Sequence, residues 1–208
     1  MPKVLEKVER RLGEKLFLKG SRCVGPKCAQ TRRGYPPGAH GKSRKRKRGL
    51  SEYGTLLREK QKVRLLYGLD DKDVKRYSKE ASTKQGIFSS QLLSFLERRL
   101  DNTVFRLGFG ESRRSARHLV GYGHVTVNGK TVTIPSYRIK TGDSVALKER
   151  SLRSGFFMDF DMRLKKVEPP TWLVLDKEKK VGKVVGLPDT DSIGMTADVT
   201  KIKEFYSR

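Results

Sequence analysis

The residues best suited to chemistry are arginines that recur at helical spacing in the middle of the chain. An arginine guanidinium grips phosphate oxygens through two parallel hydrogen bonds and keeps its charge at physiological pH. Ordinary surfaces mix both signs of charge, whereas few acidic residues stand at helical spacing from these arginines. The pattern therefore favours a cationic face that binds a phosphate backbone over a merely solvated helix face. The candidate side chains of this central face are Arg98, Arg99, Asn102, Arg106, Ser112, Arg113, Arg114, Arg117, His118, Asn128, Lys130 and Arg138.

Two helices are predicted to carry most of this central face. Four apolar residues at a spacing of four predict one continuous helix with a single buried stripe. They are Leu92, Leu96, Leu100 and Val104. Gly108 then ends the helix, and Ser112 is a favourable N-cap for a second one. The core of the module, at residues 96–147, therefore begins with a helix pair.

A small twisted sheet is predicted to follow the helix pair. Residues 124–127 alternate as a strand, and residues 131–134 return after Asn128-Gly129, a pair typical of a type I′ hairpin turn. Residues 144–147 form the last strand of the module. Two further short strands are expected later in the chain, in the segments PPTWLVLD and VGKVVG.

The charge balance of the whole chain points to a polyanionic partner. The 208 residues include 47 Lys and Arg against 23 Asp and Glu, a formal net charge of +24. Nucleic acid is the simplest such partner, because no long basic amphipathic helix with aromatic anchors suits a membrane surface. No run approaches the roughly 20 apolar residues of a membrane span. The N-terminus has no apolar signal region, so we expect a cytoplasmic location, or an organelle after removal of a transit peptide.

A short helix is predicted at residues 4–12, and the rest of the first 50 residues is basic, rich in Gly and Pro, and without periodicity. Such a stretch is expected to be an extended arm that becomes ordered against RNA; a solvated tail or a nuclear address is the alternative. Helices are predicted at 51–68 and 70–81, and the first of them would add Arg58 and Lys62 to the surface of the arm. The candidate residues of the arm are Tyr35, His40, Lys42, Arg44, Lys45, Arg46, Lys47 and Arg48.

Several motifs, in their order along essentially the whole chain, resemble the family of small-subunit ribosomal protein S4. They are LFLKG, EYGTLLREKQKVRLLYG, the central module, PPTWLVLD and the closing EFYSR. The resemblance implies a structural constituent of the small ribosomal subunit that binds small-subunit rRNA directly and supports subunit assembly. It also implies contacts with neighbouring small-subunit proteins including S5, a position near the mRNA entrance, and an influence on decoding accuracy.

The resemblance fails at one place, where metal-binding members of the family carry an upstream CxxC pair. This chain has Glu6 and Glu9 at those positions, and only Cys23 and Cys28 remain. A structural zinc needs four ligands. We therefore expect two reduced thiols in a tight turn and no cofactor; a mixed site that includes His40 is the alternative.

The predicted fold is α+β, with two lobes. A helical N-terminal lobe with an extended basic arm covers residues 1–91, and residues 187–208 are expected to dock back onto it. Residues 92–186 form an RNA-binding lobe built from a central helix pair and a small twisted β-sheet.

Two other classes of protein use the same RNA-binding module. Some pseudouridine synthases and bacterial tyrosyl-tRNA synthetases carry it beside a catalytic domain. Outside residues 92–147 this chain has no Gly-rich phosphate loop before a helix, no GxSxG motif and no compact domain of about 150 residues. We therefore predict that it is not an enzyme. The other rival is a free RNA-binding regulator, but those proteins are short and lack the long N-terminal arm.

Overall fold

A computed structural model provides the structure of the chain. It describes residues 5–42, 49–158, 160–189, 194–195 and 197–207. The chain divides into two compact units, Met1–Ser82 with Thr196–Arg208, and Thr83–Met195. Helices dominate the first unit and a five-stranded sheet lies in the second, so the predicted α+β class is confirmed.

The first unit is built from short helices, including the C-terminal one. Its elements are α1 (Leu5–Leu12), a 3-10 turn (Gly20–Cys23), α2 (Ala29–Arg32), α3 (Glu52–Leu66), α4 (Asp71–Thr83) and α10 (Thr200–Ser207). Helix α1 agrees with the helix predicted at residues 4–12, whereas the segment that follows it, as far as residue 42, is more regular than the sequence suggested. The reason is a buried carboxylate: Glu9 accepts hydrogen bonds from the backbone N–H groups of Leu16 (3.2 Å) and Leu18 (3.1 Å). This contact folds the chain back onto α1.

Helices α3 and α10 pack against each other. Ser51 caps α3 by accepting a hydrogen bond from the N–H of Gly54 at 3.2 Å. From α10, Ile202 is fully buried, and the ring centroids of Phe205 and Tyr53 lie 5.7 Å apart. Apolar side chains at the end of the chain therefore complete the core of this unit.

The second unit begins with three helices where the sequence predicted two. They are α5 (Phe88–Glu97), α6 (Leu100–Arg106) and α7 (Arg113–Gly121). The prediction of one continuous helix from Leu92 to Val104 was wrong, because Arg99 adopts an extended conformation with ψ 139°. It pairs there with Arg138 in an isolated bridge, and the backbone N–H of Leu100 donates to the carbonyl of Tyr137 at 2.9 Å. A distant loop thus interrupts the helix.

The sheet is antiparallel throughout, in the order β2-β1-β3-β5-β4. Its strands are β1 (Val125–Val127), β2 (Lys130–Thr131), β3 (Ser144–Leu147), β4 (Leu173–Asp176) and β5 (Val181–Val184). The predicted hairpin turn is confirmed, since Asn128 and Gly129 have φ values of 50° and 77°, as a type I′ turn requires. The returning strand is shorter than predicted, because only Lys130 and Thr131 pair with β1.

One hydrophobic core joins the sheet of the second unit to helices α6 and α7. Two further helices, α8 (Glu149–Leu152) and α9 (Phe160–Lys166), follow β3, and Phe160 and Leu164 reach the same core. The packing is close at Gly182, where a Cβ would lie 2.4 Å from the side chain of Leu107. Within the described parts of the chain, every helix is too short or too polar to cross a lipid bilayer.

Candidate nucleic-acid interface

A buried carboxylate, Glu97, organises the arginines of the central face. Its side chain has no exposed surface. One carboxylate oxygen, Oε2, accepts hydrogen bonds from Asn102 (2.8 Å) and from Nε of Arg106 (2.9 Å). The other oxygen accepts from Nη2 of Arg106 at 3.0 Å and lies 3.9 Å from Nη2 of Arg113. Arg106 and Arg113 therefore share an acidic partner that does not stand at helical spacing from them.

Asn102 connects Glu97 to the next helix. It is 1% exposed, and its carbonyl oxygen accepts a hydrogen bond from Nε of Arg113 at 2.8 Å. The Arg113 guanidinium also lies 4.6 Å from the centroid of the Phe105 ring. Helix α7 is thus joined to α6 by a polar network that fixes the direction of Arg113. We correct the expectation that Asn102 itself contacts RNA, because its side chain is enclosed by these bonds.

Arg99 is a second predicted contact that lies in the interior. It is 2% exposed and forms a two-pronged pair with Asp101, at 3.0 and 2.7 Å. Arg98 remains partly exposed and donates to the carbonyl of Ile139 at 3.0 Å. Arg138 places its guanidinium 4.8 Å from the centroid of the Phe95 ring. Arg99 therefore stabilises the break between α5 and α6, and of these three arginines Arg98 and Arg138 stay accessible to a ligand.

Helix α7 carries the most solvent-exposed residues of the central face. Ser112 accepts a hydrogen bond from the N–H of Ser115 at 3.2 Å and is 9% exposed, so its role is the predicted N-cap rather than an RNA contact. Arg114 and His118 are exposed, and Arg117 is partly exposed. The hydrophobic side of the same helix is buried. The helix thus turns basic side chains outwards from a fixed support.

The β1–β2 hairpin adds a further polar edge in the same unit. The Asn128 side chain joins the turn to the start of β3: its NH₂ group donates to Asp143 at 2.8 Å, and its carbonyl oxygen accepts from the N–H of Ser144 at 2.8 Å. Lys130, after the turn, is exposed. The hairpin is therefore held rigid by Asn128, and Lys130 is available to a phosphate.

The predicted surface of the first unit is largely used for internal pairing. Lys62 is 6% exposed and pairs with Glu59 (2.7 Å) and Glu14 (2.8 Å). Burial alone would lower the pKa of Lys62, but its hydrogen bonds and the charges of both glutamates outweigh burial and raise it. Arg58 donates to the carbonyl of Leu12 and to Glu14. We correct the expectation for Lys62, which stabilises the unit; Arg58 stays partly exposed.

The basic arm is described as far as Lys42. Tyr35 lies between two cations, with Arg10 4.9 Å and Lys42 5.4 Å from its ring centroid. His40 and Lys42 are exposed. The remaining predicted contacts lie outside the described residues; they are Arg44, Lys45, Arg46, Lys47 and Arg48. Tyr35 is thus held by cations, with His40 and Lys42 open to solvent.

The residues around Cys23 and Cys28 do not fit a metal. Within the described ranges, no three His, Cys, Asp or Glu side chains come together in a group that could hold a metal ion. Burial raises the pKa of the Cys23 thiol. Burial alone would also raise the pKa of the Cys28 thiol, but hydrogen bonds from Thr31 and Gln30 outweigh burial and lower it, so only one of the two cysteines favours the thiolate that metals bind. Both glutamates are also committed elsewhere: Glu9 to backbone N–H groups, and Glu6 to the two cations described next.

Glu6 is held by Lys19 at 3.3 Å and by Arg22 at 2.9 Å. Burial alone would raise the pKa of Glu6, but the hydrogen bonds and charges of Lys19 and Arg22 outweigh burial and lower it. The Cys23 sulfur in turn accepts the backbone N–H of Lys19 at 3.4 Å. Residues 5–28 are therefore joined by ion pairs and backbone contacts.

Sequence reasoning missed two residues of the central face. Glu97 is the acidic residue directly before Arg98 and Arg99, and its isolation among cations was the available sign of a buried anchor. Tyr122 follows His118 by one helical turn and is 74% exposed. The sign available in the sequence was an aromatic residue four positions after His118, at helical spacing from the basic residues of α7.

Known proteins match the chain along nearly its whole length. A family model described as Ribosomal protein S4/S9 N-terminal domain matches residues 5–97, and one described as S4 domain matches residues 98–145. Similar curated proteins carry the name Small ribosomal subunit protein uS4. That of Caldicellulosiruptor bescii is 50% identical, and that of Syntrophomonas wolfei 47% identical, each over 96% of this chain and 94% of the relative. That of Thermus thermophilus is 48% identical over the same shares.

Proposed function

The chain belongs to the ribosomal protein S4 family, and we propose that it is a structural constituent of the small ribosomal subunit that binds small-subunit rRNA directly. The observation that carries the proposal is a basic surface whose side chains are held in place: Glu97 accepts hydrogen bonds from Arg106, and α7 exposes its basic side. A net charge of +24 supplies the attraction to a polyanion, and the fixed side chains supply a surface of definite shape.

The geometry supports recognition of folded RNA through its backbone. Arg106 and Arg113 are each about one-fifth exposed, at 20% and 17% of their side chains, while their other donors are held by Glu97 and Asn102. A guanidinium fixed in this way loses less conformational entropy on binding than a free one. Double-stranded RNA is read mainly by shape and by phosphate and 2′-hydroxyl contacts. A rigid cationic surface suits that mode of binding.

The proposed RNA contacts are the predicted residues that reach solvent. In the second unit they are Arg98, Arg106, Arg113, Arg114, Arg117, His118, Lys130 and Arg138. In the first unit they are Tyr35, His40, Lys42 and Arg58. Asn128 contributes by joining the β1–β2 turn to the start of β3.

Family membership supports further proposals about partners and place. We propose that the protein works on ribosomes in the cytoplasm, contacts neighbouring small-subunit proteins including S5, and lies near the mRNA entrance. On the same basis we propose roles in subunit assembly and decoding accuracy, without catalysis.

Co-sedimentation tests the proposal. A tagged copy of the protein, expressed in cells, should remain with small subunits at one copy per subunit after a high-salt wash. A free RNA-binding regulator would leave the subunits in that wash. Release of the tagged protein at high salt, with the other subunit proteins retained, would overturn the proposal.

A further inference from the structure

Three neighbouring rings, of which Tyr122 and His118 are exposed, lie at the end of α7. The ring of Tyr122 stacks on that of His118, with centroids 5.8 Å apart and planes 18° apart. His124 meets Tyr122 edge-on at 6.4 Å and 74°. Tyr122 is 74% exposed although it lies in a well-packed unit, so burial in the core does not account for the position of this ring. We call His118, Tyr122 and His124 the stacking ledge.

The supports of the ledge are fixed by the fold. The Nδ1 atom of His124 lies 2.9 Å from the hydroxyl of Ser151. The backbone of His124 donates to the carbonyl of Leu119 at 3.0 Å and accepts from Lys148 at 2.9 Å. His118 is part of α7 itself. Tyr122 is therefore a supported ring, and ordering it on binding costs little conformational entropy.

Two cations, Arg114 and Lys148, lie near the ledge. Arg114, His118 and Tyr122 follow each other at intervals of four, which places them along one strip of the helix, and all three are exposed. The Lys148 ammonium lies 4.0 Å from the point that a Cβ on Gly123, the residue next to Tyr122 in the chain, would occupy. An exposed planar ring with cations nearby offers a π surface for a base and positive charges for the phosphates next to that base.

We propose that the stacking ledge binds an unpaired nucleotide, whose base stacks on Tyr122 while Arg114 and Lys148 contact adjacent phosphates. This inference rests on the proposed function and adds to it the class of nucleotide bound at this end of the face. Paired bases within a helix have their faces covered, so only loops, bulges and ends offer a base to an aromatic ring. An apolar protein partner fits less well, because positive charge lies near the ring.

The test measures the affinity of the full chain for small-subunit rRNA. Tyr122→Phe keeps the ring, whereas Tyr122→Leu keeps apolar bulk and removes the planar face. Removal of a stacking ring costs about 1–3 kcal/mol per base, so the leucine variant should bind roughly 5- to 150-fold more weakly. The phenylalanine variant should match the wild type. The salt dependence of both variants should stay unchanged, because no phosphate contact is lost.

Two designed RNAs, one with and one without a bulge, test whether the bound nucleotide is unpaired. A fully paired duplex should bind the leucine variant and the wild type equally, whereas the same duplex with a five-nucleotide bulge should reveal the loss. The proposal is overturned if the leucine variant binds rRNA like the wild type, as a protein partner at the ledge would predict. It is also overturned if both variants lose equally, because the phenol hydroxyl would then be the contact. Failure of the wild type to bind rRNA would instead overturn the proposed function, and the ledge with it.

Discussion

Replacing Glu97 by glutamine should destabilise the second unit and weaken RNA binding, although it makes the protein more positive. Glutamine keeps the size of the side chain but removes the charge that Arg106 and Arg113 share. Its NH₂ group also replaces one of the two Glu97 oxygens, and each of these oxygens already accepts a hydrogen bond, Oε2 from Asn102 and Oε1 from Arg106. At least one donor therefore loses its acceptor.

The size of the effect follows from burial. Hydrogen bonds to charged groups contribute about 1.5–3 kcal/mol each, and loss of one partner of a buried ion pair costs about 3–5 kcal/mol. Arg106 is 20% exposed and Arg113 17%, so both can regain some water, which lowers the cost. We expect a loss of about 2–4 kcal/mol, or roughly 10–20 °C in Tm for a domain of about 100 residues.

The assay uses the one tryptophan of the chain. Trp172 is 3% exposed and lies in the second unit, so its fluorescence during urea unfolding reports the stability of that unit. Glu111→Gln is the matched control, because the Glu111 side chain is 53% exposed and pairs with Arg163 at 3.4 Å; such surface pairs contribute about 0–1 kcal/mol.

Charge and positioning make opposite predictions for RNA affinity of the Glu97 variant. If the arginines act only through net charge, removing a carboxylate should tighten binding. If Glu97 positions them, binding by the folded variant should weaken. The reasoning is refuted if Glu97→Gln is as stable as the Glu111 control, or if it binds rRNA more tightly than the wild type.

The remaining predictions concern charge, metal, the C-terminal helix and pH. Affinity for rRNA should fall by roughly 10³–10⁵ between 50 and 200 mM salt if six to ten phosphates are contacted, and Arg114→Gln should reduce the salt slope by about one; an affinity independent of salt would contradict this. Protein purified without added zinc should contain well under one equivalent by elemental analysis, and Cys23→Ser should keep the fold; a full equivalent, lost together with the fold in that variant, would contradict it. Truncation before Ile202, which is fully buried, should speed hydrogen exchange in α3 and leave the second unit protected; unchanged exchange in α3 would refute the packing argument. Because the pKa of Glu6 is lowered in the folded protein, its contribution to stability is complete above pH 4.5 and is lost as the pH falls through the lower folded value. Hydrogen exchange in residues 5–42 should therefore lose protection at acidic pH, and Glu6→Gln should remove this pH dependence. An unchanged pH profile in that variant would contradict the argument.

Features set by neighbouring residues could be predicted from the sequence. The Asn128-Gly129 turn needs two residues at positive φ, which this pair adopts readily, and both have positive φ in the structure. Ser112 caps α7 as predicted. Each of these features depends on contacts within a few positions, so the residues themselves carry the information.

Features set by distant residues could not be predicted in the same way. Helical periodicity continues through Arg98, yet the backbone there hydrogen-bonds with Ile139 and the helix breaks. A count of acidic residues at helical spacing also missed Glu97, because one buried carboxylate can serve several donors that only the fold brings together. The same holds for Glu9, whose contacts order a segment that has no periodicity of its own.

A chemical footprint of the isolated protein on small-subunit rRNA tests the central claim most directly. Hydroxyl-radical cleavage of the RNA backbone should show a small set of protected regions at one protein per RNA, and an equal amount of large-subunit rRNA should not remove the protection. Protection should weaken with Glu97→Gln and persist with the Glu111 control. Diffuse protection that large-subunit rRNA abolishes would contradict the account, because the protein would then bind RNA through charge alone.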